Sequence, residues 1–327
     1  MRGFYGLTLL GIVLMAAVIP AQGGSSSGAL RVALIKMPYR GERNLPDISD
    51  VPDYLEAGGI QKVLEGQGVS VKPISTVALS AEQKEYGEWN RLAIADGQLA
   101  RLVADERRSG AFPVGLLANC SALMGMHGGL QHSGPSPRPL RVGLVFVDAH
   151  GDFNTPETTL SGMLGGMPVA ISSGLCLTRM RLKAGLDPAV PQRHIVLGGV
   201  RDTDPLEQDL IDRSEVEHIS VEYIRTKSEN IHKQMKRLSD LTDLIYVHVD
   251  MDVLDPKEVS GHPLTVPNCP TSIELGAAIT EMFKYEKAAA FGVASTPSGQ
   301  RDADGVSRQA AYNLILGAIK GVQQRGR

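Results

Sequence analysis

Short runs of nearly continuous apolar residues alternate along the chain with longer stretches of helical periodicity. Strand candidates are Leu30–Ile35, Val69–Pro73, Phe112–Leu117, Leu140–Asp148, His194–Gly199, Val216–Ser220, Leu244–Asp250 and Ala288–Ala294. Several are apolar almost throughout, as expected of strands covered on both faces. Helical patterns occupy Asp53–Glu65, Tyr86–Arg108, Val221–Leu238, Ser272–Tyr285 and Ser307–Val322. The alternation predicts an α/β protein, a three-layer αβα sandwich around a mostly parallel sheet of about eight strands. Two segments rich in Gly, Ser, Pro and Thr, Gly125–Arg138 and Asn154–Gly166, read as loops. Loops that follow strand ends are where such sheets bind ligands.

The first 29 residues break this pattern. Arg2, the apolar run Leu7–Ile19, the small residues around Ala21 and the segment Gly23–Gly28 describe a secretory leader with a short linker. The fold then spans 30–327, and the protein is expected to be periplasmic or secreted. A signal anchor, or an upstream start that is never used and leaves the protein cytoplasmic, are the competing readings. The remaining length suits one large domain with a well-buried core. With 43% apolar and 21% charged residues the composition is globular. A formal net charge of -3 offers no basic excess for nucleic acid, and nothing beyond the leader suggests a membrane. Three cysteines, Cys120, Cys176 and Cys269, are too few and too odd for a disulfide framework.

Two polar motifs interrupt the apolar runs at strand ends. Asp148-Ala-His150-Gly-Asp152 closes the run Val142–Val147. Alternate residues of an extended segment project to one side, so 148, 150 and 152 can converge. His248-Val-Asp250-Met-Asp252-Val-Leu-Asp255-Pro256 closes the run Leu244–Val249 with the same spacing of acids. Buried carboxylates repel one another unless a cation neutralises them. Oxygen-rich sites with one or two imidazoles suit Mn²⁺ or similar ions. Outside the linker, where Gly24-Ser-Ser-Ser-Gly28 follows no predicted strand, the sequence contains neither a Gly-x-Ser-x-Gly elbow nor a Gly-rich phosphate loop with lysine.

This pair of motifs resembles the arginase/agmatinase, or ureohydrolase, family, and the resemblance extends from about Leu30 to Gly321. It implies a two-manganese hydrolase that cleaves a C–N bond of a guanidino or amidino compound. By position, Asp148 and Asp250 would bridge both ions, Asp152 would bind the first, and His150 and Asp252 the second. Bound cations lower the pKa of water, and Asp152 would also orient its proton. Asn154-Thr-Pro-Glu-Thr-Thr-Leu-Ser161 resembles the loop whose Asn and Ser receive an α-carboxylate. Asp204 matches the residue that faces the α-amino group. Family members are commonly trimers or hexamers, which implies a homo-oligomer.

The sequence also departs from the family. The first metal histidine of a Gly-Gly-Asp-His-Ser segment corresponds to Cys120 in Leu117-Ala118-Asn119-Cys120-Ser121. Cys120 reads either as a soft thiolate ligand or as a small packing residue that weakens the first site; His127 and His132 are the nearby imidazoles. The glutamate that anchors the guanidinium corresponds to Ala294, the proposed proton-shuttling histidine to Gly165, and one carboxylate contact to Met163. Alanine and glycine at these places are expected to leave space for a bulkier or less charged substrate. L-Arginine or an N-substituted arginine is therefore the expected substrate class. The competing reading is a catalytically silent relative that keeps the fold for binding or regulation.

Overall fold

The structure, a computed structural model, describes residues 29–40, 48–227 and 229–326. The leader call on residues 1–29 lies outside the described residues except for Ala29. Among the described residues, nine strands form one sheet: β1 (Arg31–Met37), β2 (Ser70–Val71), β3 (Ser75–Thr76), β4 (Phe112–Leu117), β5 (Val142–Val147), β6 (Ile195–Gly198), β7 (Glu217–Ile219), β8 (Leu244–Asp250) and β9 (Ala288–Ala294). Their order is β2-β1-β4-β9-β8-β5-β6-β7, with β3 also paired to β1. Every pairing among them is parallel.

Strand alternation divides the core into two apolar layers. Val145, Val147, Val247, Val249, Phe291 and Val293 face one layer, which includes residues of the helices Val51–Ala57, Ser272–Phe283 and Val306–Gln323. Leu144, Phe146, Leu117, Leu197 and Tyr246 face the other, covered by Glu88–Arg108, Leu123–Gln131 and Pro168–Ser172. Helices on both faces of a parallel sheet give the expected three layers. Among the described residues, no helix is long and apolar enough to cross a membrane.

Several sequence expectations need correction. Val69–Pro73 is not one strand but the short β2, and β3 follows Pro73 as the ninth strand of the sheet. Proline has no N–H to donate to a ladder, so pairing stops there. The Gly-rich segment from Gly125 is not wholly loop either, because Leu123–Gln131 is a buried helix. A Cβ at Gly125 would come within 2.7 Å of the Asp96 carbonyl, and one at Gly129 within 2.6 Å of that of Ala100. These glycines therefore mark close packing of two helices rather than chain flexibility. The predicted helices Asp53–Glu65 and Val221–Leu238 each divide in two, near Gly58-Gly59 and Lys227.

Register brings the carboxyl ends of the central strands to one edge. Leu117 of β4 pairs with Ala294 of β9, and Ala294 pairs with Asp250 of β8. Val249 pairs with Val147, so Asp148 emerges beside Asp250.

Candidate metal centre

The polar residues leaving these strand ends line one cavity of about 460 Å³. That volume suits a small ligand. Cys120 follows β4, the segment Asp148–Asp152 follows β5, Asp202–Asp204 follow β6, Asp250 ends β8 with Asp252 in the turn after it, and Ser295–Thr296 follow β9. Among the described residues, three overlapping sets of potential ligands meet there: Cys120, Asp148 and Asp250; Asp148, His150 and Asp252; and Asp250, Asp252 and His262. Within each set the ligand atoms lie within 4.8 Å of one another. Asp148, Asp250 and Asp252 each belong to two of the sets, so the three sets share their carboxylates.

His150 Nδ1 lies 3.1 Å from Asp252 Oδ2 and 3.4 Å from Asp148 Oδ1. Burial opposes its charge, but hydrogen bonds to those two acids prevail and push its pKa up to about 12. Burial raises Asp148, yet His150 outweighs it and leaves that carboxyl below its ordinary range. Asp250 is driven to about 7 by burial and then by the charge of Asp148. Burial and the neighbouring acids also drive Asp152 and Asp252 well above the usual carboxylate range. Four carboxylates held this way fit a site built for cations.

The backbone fixes Asp152 in an unusual conformation. Its φ is 46°, in the left-handed region, and Ser295, which also lines the cavity, has φ 62°. Such residues persist where surrounding structure over-determines them. The carbonyl of Asp152 accepts hydrogen bonds from the Val169 and Ala170 N–H groups at 3.0 and 3.3 Å. Buried Glu207 accepts from the Phe153 N–H at 2.7 Å and the Asp204 N–H at 3.2 Å. A Cβ at Gly151 would approach Glu207 Oε1 to 2.7 Å, which explains glycine inside the first motif. Glu207→Ala should therefore cost roughly 1–3 kcal/mol through the unpaired N–H groups, and Glu207→Gln less. Urea unfolding measures the difference, and equal stability of Glu207→Ala and wild type would contradict it.

The other expected residues fall around the same cavity. Asn154 donates to Asp204 Oδ2 at 3.1 Å, and the Leu160 N–H donates to the same oxygen at 3.1 Å. Asp204 thus clamps the loop that carries Asn154. Ser161 lines the cavity, is exposed, and accepts from the Met163 N–H at 3.2 Å. Asp152 lines the cavity but belongs to none of the three close ligand sets.

Three sequence ideas fail geometrically. His127 is fully buried on the Leu123–Gln131 helix, edge-on to Tyr246, and does not line the cavity. His132 is exposed at that helix's end. Ala294 is sealed in the sheet, so it leaves no space at the cavity wall; Ser295 and Thr296 form that wall. Gly165 and Met163 do line the cavity. The sequence reading missed His262, whose Nε2 lies 3.8 Å from Asp250 Oδ1 and whose pKa burial lowers to about 4. Gly261-His262-Pro263 carries no strand-end alternation, and only tertiary contact reveals it.

The pattern described as "Arginase family" matches residues 98–319. The arginase of Brevibacillus brevis is 27% identical over 217 residues, covering 64% of this chain and 71% of that protein. The N(omega)-hydroxy-L-arginine amidinohydrolase of Streptomyces lavendulae is 36% identical over 126 residues, covering 38% of this chain and 41% of that protein. The crystal structure of Bacillus subtilis arginase superposes with a TM-score of 0.78 at 22% identity, covering 89% of this chain and 98% of the other. The sheet, the converging carboxylates and these similarities lead to one conclusion: the chain belongs to the arginase family, hydrolases of the C–N bonds of linear amidines.

Proposed function

We propose that the protein uses divalent metal to hydrolyse a small guanidino or amidino compound, L-arginine or an N-substituted arginine. The three overlapping ligand sets carry this reading. Asp148 and Asp250 would bridge two ions, Asp152 and Cys120 would serve the first, and His150 and Asp252 the second. His262 adds an imidazole beside Asp250 and Asp252. The oxygen and nitrogen donors of Asp148, His150 and Asp252 suit Mn²⁺. When bound, such ions neutralise the acids and activate water. Asp152, held rigid in its left-handed conformation, would orient the attacking water's proton. Asn154, fixed by Asp204 and accepting from the Thr158 hydroxyl at 2.9 Å, is preorganised to meet an α-carboxylate together with Ser161. Asp204 would face the α-amino group. Export behind the leader that Arg2 and the run Leu7–Ile19 describe, and assembly into a trimer or hexamer by resemblance, belong to the same proposal.

Ala294 favours a second reading, a silent relative that binds without turnover, because no carboxylate stands where the family's guanidinium anchor would be. One experiment separates the two. Purified protein is stripped, reloaded with Mn²⁺, assayed for ion content, and screened for urea release from arginine, N-hydroxyarginine and other guanidino acids. We expect at least one ion per chain and turnover of one compound. Full metal content without turnover of any amidine would favour the silent relative, and no stoichiometric ion would reject the metal centre.

A further inference from the structure

We propose that Cys120, Asp148 and Asp250 form a thiolate-bearing subsite for a thiophilic divalent ion such as Zn²⁺, with His248 as the residue that positions the sulfur. This rests on the metal-centre reading above and adds to it the character of one subsite. Cys120 is 1% exposed, yet it lines the cavity. Its Sγ lies 2.6 Å from Asp250 Oδ2 and 3.9 Å from Asp148 Oδ2. His248 Nε2 also approaches the sulfur, to 3.2 Å.

The imidazole is held in place. Tyr246, His248 and Asp250 share one face of β8 by the two-residue alternation of a strand. The Phe146 ring stacks on His248, with centroids 5.3 Å apart and planes 14° from parallel. The Tyr246 hydroxyl lies 2.8 Å from His248 Nδ1. On β9, a Cβ at Gly292 would collide with that hydroxyl, so glycine leaves the slot that the phenol fills. With the hydroxyl donating to Nδ1, Nε2–H is left to donate to the sulfur, while the thiol S–H points to Asp250.

A packing cysteine needs none of this. Burying an imidazole and a phenol is costly unless each is satisfied, and here the phenol takes one imidazole nitrogen while the sulfur is the partner of the other. An N–H···S bond stabilises a thiolate and orients it, as outer partners do for metal ligands generally. Ion binding displaces the thiol proton, which leaves through the cavity to solvent. Thiolate prefers zinc to manganese, whereas the set Asp148, His150 and Asp252 offers only oxygen and nitrogen. The centre is therefore built for two unlike ions.

Cobalt(II) added to stripped full-length protein tests this, because cobalt thiolates absorb strongly in the near ultraviolet and oxygen or nitrogen ligands do not. We expect that band in wild type and its loss in Cys120→Ser. Zn²⁺ should displace the cobalt at far lower concentration than Mn²⁺. His248→Phe, which keeps the stacking but removes the donor, should weaken Zn²⁺ binding by roughly 10–100-fold, and His248→Gln should recover part of it. Circular dichroism confirms folding of each variant. If Cys120→Ser fails to fold, ¹¹³Cd NMR of wild type gives the same answer through a thiolate-shifted resonance. Cobalt bound without the band, or a band that survives in Cys120→Ser, overturns this inference and leaves the metal centre standing. No cobalt bound at all overturns both.

Discussion

Replacing Asp250 with asparagine should lower amidine hydrolysis by on the order of 10³-fold or more while leaving the protein folded. Asp250 belongs to two of the three ligand sets and lies within reach of Cys120, Ser295 and His262. Asparagine keeps the volume but removes the charge that two cations would share. A 10³-fold loss corresponds to about 4 kcal/mol of lost barrier stabilisation. Without metal, the same change relieves repulsion from Asp148, so stripped Asp250→Asn should melt at or above stripped wild type at neutral pH. Asp152→Asn should be equally inactive, because it removes the group proposed to orient water. Wild-type kcat/KM in both variants would place the reaction elsewhere, and a collapsed melting curve would make the loss structural.

Removing metal should make stability strongly pH-dependent, and restoring it should abolish that dependence. In the metal-free fold Asp250 titrates near 7, raised by burial and then by Asp148, against about 4 in an unfolded chain. A folded carboxyl with a raised pKa holds its proton longer than the unfolded one. Its contribution is present below about pH 4 and lost as pH rises through 7. The shift is about three units, or roughly 4 kcal/mol. His150, held charged to about 12 by Asp148 and Asp252, continues the loss above its unfolded value of about 6.5. A bound cation takes the place of those protons, and at 1,000 times its Kd it adds about 4 kcal/mol. Melting curves from pH 4 to 8, with chelator and with metal, should diverge as pH rises. Coincident curves at pH 8 would contradict a cation at this site.

The strand-end acids were legible because a parallel strand signals itself twice. Its interior is apolar on both faces, so polar residues that follow at two-residue spacing stand out at once, as Asp148, His150 and Asp152 do after Val142–Val147. Glu207 was not legible in its full role, since one N–H it accepts belongs to Asp204 at the start of its own helix but the other belongs to Phe153, 54 residues away. The buried helix Leu123–Gln131 was hidden because glycine reads locally as flexibility, while its use here depends on the neighbouring helix.

By itself, then, the sequence determined the layered parallel fold, the family resemblance and five of the acids and imidazoles around the centre. Periodicity and spacing are local properties, and a strand end points its alternating residues the same way wherever it packs. Only the tertiary structure decided that His262 joins Asp250 and Asp252, that Ala294 is sealed from the cavity, and that His248 stands behind Cys120. Those relations join a loop to a strand end, a strand to its neighbour in the sheet, and residue 248 to residue 120. No pattern within one segment encodes them, because they arise from the order in which the strands are laid side by side.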